Sequence, residues 1–140
     1  MFRSIVIMPV EFKNAEFKEF QDKYPTLFPE DYPKRDFYLP YGWREPLHKL
    51  FAYMEKYATE HEMFHVNQVK EKFWGLRVYT TLPYDSPVTE HILEAERACN
   101  RMCIYCGADR VDTQPQEWGG FSQDPYCPEH SRFNLTSENS

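Results

Sequence analysis

Hydrophobic and polar positions follow several different periods along this chain, and each period predicts an element. Residues 2–8 are apolar with β-branched side chains in the middle, which reads as a strand ended by Pro9. Over residues 10–24, Phe12, Phe17, Phe20 and Tyr24 fall among lysines and glutamates at mixed helical spacing and predict a short helix with core-facing rings. Leu47, Leu50, Phe51, Met54, Tyr57 and Ala58 then recur every three or four residues, with Lys49, Glu55, Lys56 and Glu60 on the other side. That pattern is an amphipathic helix running to about Thr59, with Pro46 in its first turn, where the missing N–H is harmless. Two antiparallel strands follow: Phe64 and Val66 alternate with polar residues in the first, and Trp74, Leu76, Val78, Thr80 and Leu82 in the second. Lys70-Glu71-Lys72 reads as the polar turn between them, and Gly75 as a bulge or a close backbone approach. Ser86 and Pro87 supply an N-cap and first residue for a last helix, whose stripe of Val88, Ile92, Ala95, Cys99 and Met102 runs straight into Cys103.

Residues 24–46 obey no period. Pro25, Pro29, Pro33, Pro40 and Pro46 interleave with Phe28, Tyr32, Phe37, Tyr38, Tyr41 and Trp43, a proline density that denies helix and central strand alike and predicts an extended loop. Two roles for its rings stay open: wrapping the domain and pinning the loop, or forming an exposed aromatic patch for a partner protein.

Candidate chemistry gathers at the C-terminal end. Cys103, Cys106, Cys127 and His130 spell C-x2-C, twenty residues, then C-x2-H, a spacing that brings two ligands from each of two turns to one tetrahedral ion. Gly107 follows the second cysteine, where such a turn often needs a positive φ. Three thiolates and an imidazole fill all four positions, so the expected cofactor is structural Zn²⁺ rather than a catalytic metal. Disulfides are disfavoured because the only early apolar stretch is short and broken by Pro9, unlike a secretory signal; the expected location is cytoplasmic. Cys99 lies on the apolar helical stripe and is expected in the core, although its offset from Cys103 leaves a ligand swap open.

Charge narrows the partner. The chain carries 16 basic and 22 acidic side chains, net −6; residues 71–140 hold 6 and 11 of them, net −5. A sequence-independent grip on phosphate backbones needs clustered cations, so nucleic acid is the disfavoured partner. No apolar run is long enough to cross a bilayer, and no membrane association is expected.

The run Val69-Lys70-Glu71-Lys72-Phe73-Trp74-Gly75-Leu76-Arg77-Val78-Tyr79, followed by an Ile-x-x-Ala-Glu helix, the Cys-x-x-Cys-Gly start and a terminal Cys-x-x-His, resembles a family of small uncharacterised bacterial, phage and prophage proteins. Those carry K-E-K-F-G-G-L-R-F-Y before the same ligand pattern, and Gly42-Trp43 is similar to their G-W entry. The resemblance covers residues 42–132. Trp74 stands where they have the first glycine, and the Pro-containing stretch before Cys127 departs from their pattern. It implies a zinc-stapled fold of phage origin and no established activity.

The expected fold class is α+β: a small antiparallel sheet, two or three helices and a C-terminal treble-clef-like zinc module. Residues 1–87 form the body with its 24–46 loop, 88–133 the last helix and the zinc module packed on it, and 134–140 a tail. The expected function is a non-enzymatic, zinc-stabilised protein–protein interaction protein, a phage-encoded modulator or inhibitor of a host bacterial protein. Two alternatives compete. A metal-dependent nuclease would need a second, open metal site, for which His61, Glu62 and His65 are the local candidates. A nucleic-acid-binding zinc protein would use Lys70, Lys72, Arg77, Arg110 and Arg132.

Overall fold

The structure is a computed structural model that describes residues 13–72, 74–109, 126, 127, 129 and 130. The strand expected over 2–8, the hairpin expected between the ligand pairs and the tail lie outside the described residues. Helix α1 is Phe17–Lys23, strand β1 Phe37–Tyr38, helix α2 Arg44–Glu60, strand β2 Val66–Lys72, strand β3 Gly75–Thr80 and helix α3 Pro87–Cys99. The described residues thus form an α+β fold of three helices and one three-stranded sheet, in the order β1-β2-β3.

That sheet is mixed, which corrects the antiparallel expectation: β1 runs parallel to β2, pairing Phe37 with Val69 and Tyr38 with Lys70, whereas β2 and β3 are antiparallel. The reason is connectivity. Parallel neighbours need a crossover, and α2 supplies it between β1 and β2. A two-residue strand inside a proline-rich loop has no hydrophobic period of its own, so periodicity could not reveal it.

The hairpin is also differently placed. Lys70-Glu71-Lys72 belongs to β2, pairing with Arg77, Leu76 and Gly75, and Trp74 lies in the turn. Trp74 there has φ +64°, a left-handed conformation that an L side chain adopts at a cost, and its N–H donates to Glu71 Oε2 at 2.9 Å. Gly75 is not the bulge, since the register irregularity lies between Val66 and Gln68. Nor does other backbone crowd it: a Cβ there would meet the side-chain tips of Asn100, Oδ1 at 2.9 Å, and Arg77, Nη1 at 3.0 Å, with the nearest backbone atom, Lys72 O, at 3.5 Å.

The expected helix over 10–24 is shorter. Residues 13–15 are extended and bridge residues 39–41, with Ala15 N–H donating to Leu39 O at 2.8 Å. Helix α3 keeps its expected start: Ser86 Oγ accepts from the Val88 N–H at 3.2 Å and Pro87 is the first residue. It ends at Cys99, so Met102 lies past the helix in a bridge to Asp109.

The rings of residues 24–46 mostly face inward. Phe28, Phe37 and Trp43 are buried together with Phe17, Phe20 and Phe51. Phe28 packs edge-on against Phe51, Phe37 and Phe17 with centroids 5.1, 5.5 and 5.8 Å apart, a geometry that sets ring edges against ring faces. Glu55 on α2 pins the same loop, its carboxylate accepting from the Thr26 and Leu27 N–H groups at 3.1 Å each. The packing role therefore accounts for these rings; Tyr38 and Tyr41 remain exposed. On the other side of α2, α3 packs with Tyr53 and His91 stacked at 3.6 Å, and α3 also meets β3.

Candidate metal centre

Past the end of α3 the chain makes a compact knuckle. Cys103 N–H donates to Ala108 O at 2.7 Å and Gly107 N–H to Cys103 O at 2.9 Å, so the turn closes on itself. Gly107 adopts φ +88°, the left-handed conformation expected of it. The Tyr105 N–H points at Cys103 Sγ from 3.3 Å, a donor for a thiolate. The second ligand pair lies on another turn, in which His130 N–H donates to Cys127 O at 3.0 Å.

The two turns bring the four expected side chains together. One ligand atom from each of Cys103, Cys106, Cys127 and His130 lies within 4.8 Å of the others. Cys106 Sγ is 3.6 Å from Cys127 Sγ, and His130 Nδ1 is 3.2 Å from Cys127 Sγ and 3.8 Å from Cys103 Sγ. A tetrahedral ion with bonds of about 2.3 Å to sulfur requires ligand atoms ~3.8 Å apart, so the set could hold a metal such as zinc. Nδ1 is the histidine nitrogen turned toward the thiols. Tyr105 packs against that imidazole, with ring centroids 4.5 Å apart.

The thiols favour a cation electrostatically. Burial opposes the Cys103 thiolate, yet N–H groups of Cys127, Cys106 and Tyr105 outweigh it and lower the pKa. Desolvation of its sulfur among the other thiols pushes the Cys106 thiol up to about 12 although the residue as a whole is exposed, and the neighbouring Cys103 charge adds to the shift. Crowded sulfurs of this kind cannot all ionise on their own; a divalent cation reverses that balance and releases protons as it binds.

The knuckle is clamped to the body at Gly42, immediately before α2. Gly42 N–H donates to Ile104 O at 3.1 Å, and a Cβ on Gly42 would collide with Cys103 O and meet Ile104 C at 2.8 Å and Gly107 N at 2.9 Å. Ile104 is itself fully buried. Of the four ligands, Cys103 and Cys127 are buried and Cys106 is exposed. Cys99 is buried on the α3 stripe and outside the ligand group, in keeping with a core thiol.

The residues expected for a nuclease do not converge. His61, Glu62 and His65 are exposed, and among the described residues no His, Cys, Asp or Glu group other than the Cys3His set offers a metal site. Lys70, Lys72 and Arg77 are neighbours across β2 and β3, while Arg110 and Arg132 lie outside the described residues.

Sequence reasoning missed a second polar cluster, between α1 and α2. Arg44 donates to Glu19 through Nε at 3.2 Å and Nη2 at 2.7 Å, His48 Nε2 reaches the same carboxylate, and Tyr24 OH meets His48 Nδ1 at 2.8 Å. The His48 ring stacks on Phe20 at 4.4 Å. The Arg44 guanidinium holds Glu19 below the usual carboxylate range against its desolvation, and His48 assists. Burial raises Tyr24. Partners this far apart in the chain leave no local spacing to read. All these side chains are satisfied by one another, so the cluster reads as a clasp between helices.

No protein family, curated protein or solved structure matches this chain. Among the described residues no helix is long and apolar enough to cross a membrane.

Proposed function

We propose that this chain is a non-enzymatic interaction protein whose C-terminal end is stapled by Zn²⁺ in a treble-clef-like module. The observation that carries the reading is the filled ligand set: Cys103, Cys106, Cys127 and His130 supply four ligand atoms, which leaves no coordination position for water or substrate. Bound there, the metal would tie two turns together and supply folding free energy rather than Lewis-acid chemistry. Small size and the net charge of −6 support an interaction protein, which we read as a phage-encoded modulator or inhibitor of a host bacterial protein. The burial of most rings of the 24–46 loop removes that loop from the contact surface, apart from Tyr38 and Tyr41.

Two measurements test the reading. Elemental analysis of the purified protein is expected to give one zinc per chain, lost in Cys106→Ser. Affinity purification from bacterial lysate is expected to recover one host protein in stoichiometric amount. DNA or RNA cleavage with Mg²⁺ or Mn²⁺ that disappears in His61→Ala or His65→Ala would replace it with the nuclease.

A further inference from the structure

We propose that the Cys3His cluster is a peroxide-sensitive switch: Cys106 is oxidised, Cys127 closes a disulfide on it, and the two ligands left cannot retain a metal. The switch rests on the Zn²⁺ reading of the same four side chains and adds to it a way of emptying the site.

Exposure singles out the first residue to react. Cys103 and Cys127 are 0% and 2% exposed, whereas Cys106 is an exposed residue. A dissolved oxidant therefore meets the Cys106 sulfur first. Cys99 is buried as well and stands on the α3 stripe, outside the ligand group. The thiolate is the form that both ligates and reacts, and a coordinating thiol is deprotonated by its ion, so ligation keeps this exposed sulfur in its reactive form.

Distance singles out the second. Cys127 Sγ lies 3.6 Å from Cys106 Sγ, already in contact, so a small movement of the two side chains reaches the ~2.05 Å of a disulfide. Cys103 shares a turn with Cys106, closed by the Gly107 N–H on Cys103 O at 2.9 Å, and its sulfur already accepts the Tyr105 N–H at 3.3 Å and faces His130 Nδ1 at 3.8 Å. A bridge to Cys103 would have to disturb that turn. A bridge to Cys127 joins two turns that the ligand set already brings together.

The chemistry balances with a peroxide as oxidant. The Cys106 thiolate attacks one oxygen of hydrogen peroxide; an S–O bond forms, the O–O bond breaks, hydroxide leaves, and the sulfur gives up two electrons to become the sulfenic acid. The Cys127 thiolate then attacks that sulfur; the S–S bond forms, the S–O bond breaks and a second hydroxide leaves. Two thiolates and one peroxide thus become one disulfide and two hydroxides, which two protons from solvent convert to water. Cys103 and His130 remain, two ligands where a tetrahedral ion takes four. A dithiol reductant returns two electrons and restores both thiolates. The change reaches the body of the fold, because Ile104 in the same turn accepts the Gly42 N–H at 3.1 Å.

The test uses the full chain loaded with Zn²⁺, in the presence of a chromogenic zinc chelator. Hydrogen peroxide is expected to release the ion in step with a Cys106–Cys127 disulfide, mapped by mass spectrometry of non-reduced peptides, and dithiothreitol with added Zn²⁺ is expected to restore metal content and melting transition. Cys106→His keeps a fourth ligand but removes the disulfide, and should hold zinc at least ~10-fold longer against peroxide, with Cys99→Ser behaving as the parent. Whether or not that histidine variant loads, brief alkylation of the parent should reach Cys106 before the other three cysteines. A chain that takes up no zinc overturns the Zn²⁺ reading and the switch together. A loaded chain that keeps its ion under peroxide, bridges through Cys103 or Cys99, loses the ion with no disulfide formed, or is alkylated first elsewhere overturns the switch alone.

Discussion

Gly42 shows how much one residue without a side chain can decide. A Cβ at this position would run into the backbone of Cys103 and approach Gly107 N to 2.9 Å, and backbone cannot rotate away as a side-chain tip can. Gly42→Ala is therefore expected to destabilise the protein by about 3 kcal/mol or more, the upper range of overpacking, read as a shift of the urea midpoint. Glu19 gives a prediction of the opposite kind, set by charge. Its carboxyl is held below the ordinary range by Arg44 and His48, so the folded state favours the ionised form. The resulting stability is complete above the unfolded-state pKa and is lost as pH falls through the lower, folded value. Urea midpoints should fall across that acid window, and Glu19→Gln should flatten this limb. Neither contact is visible in the linear chain, because Gly42 and Cys103, or Glu19 and Arg44, become neighbours only when separate elements pack.

Single elements were legible where the sequence carried a strict period. Helix α2 was predicted from Leu47, Leu50, Phe51, Met54, Tyr57 and Ala58, of which all but the half-buried Tyr57 are buried. The cap of α3 was predicted from Ser86 and Pro87, a local chemistry that needs no tertiary partner. Ser86→Ala removes the acceptor for the Val88 N–H and should cost ~1 kcal/mol in thermal or urea unfolding, with Ser86→Asp retaining most of the stability. Elements failed to show where the period was weak. The 10–24 helix gives up residues 13–15 to a bridge with residues 39–41, and the hairpin turn holds Trp74, whose side chain gives no hint of the positive φ that glycine would have signalled.

At the scale of the whole molecule, the aromatic core and the Cys103–Ala108 knuckle meet at Gly42, next to buried Trp43 and the first turn of α2. Removal of a metal held by the Cys3His cluster should therefore reach beyond the C-terminal turns. A strong chelator, or Cys106→Ser, is expected to lower the melting temperature and expose Trp43, seen as a red shift in tryptophan emission; an unchanged transition would refute the structural role. The chain by itself determined the Cys3His cluster that could hold a metal, because two C-x2 pairs are local turns whose geometry follows from spacing, and it determined the helices whose apolar stripes must be buried by something. Only the tertiary structure decided that β1 is parallel, that the proline-rich loop turns its rings inward, and that Cys106 is the exposed thiol of the ligand set. Those outcomes depend on which elements pack together, and packing partners distant in sequence leave no mark on a local pattern.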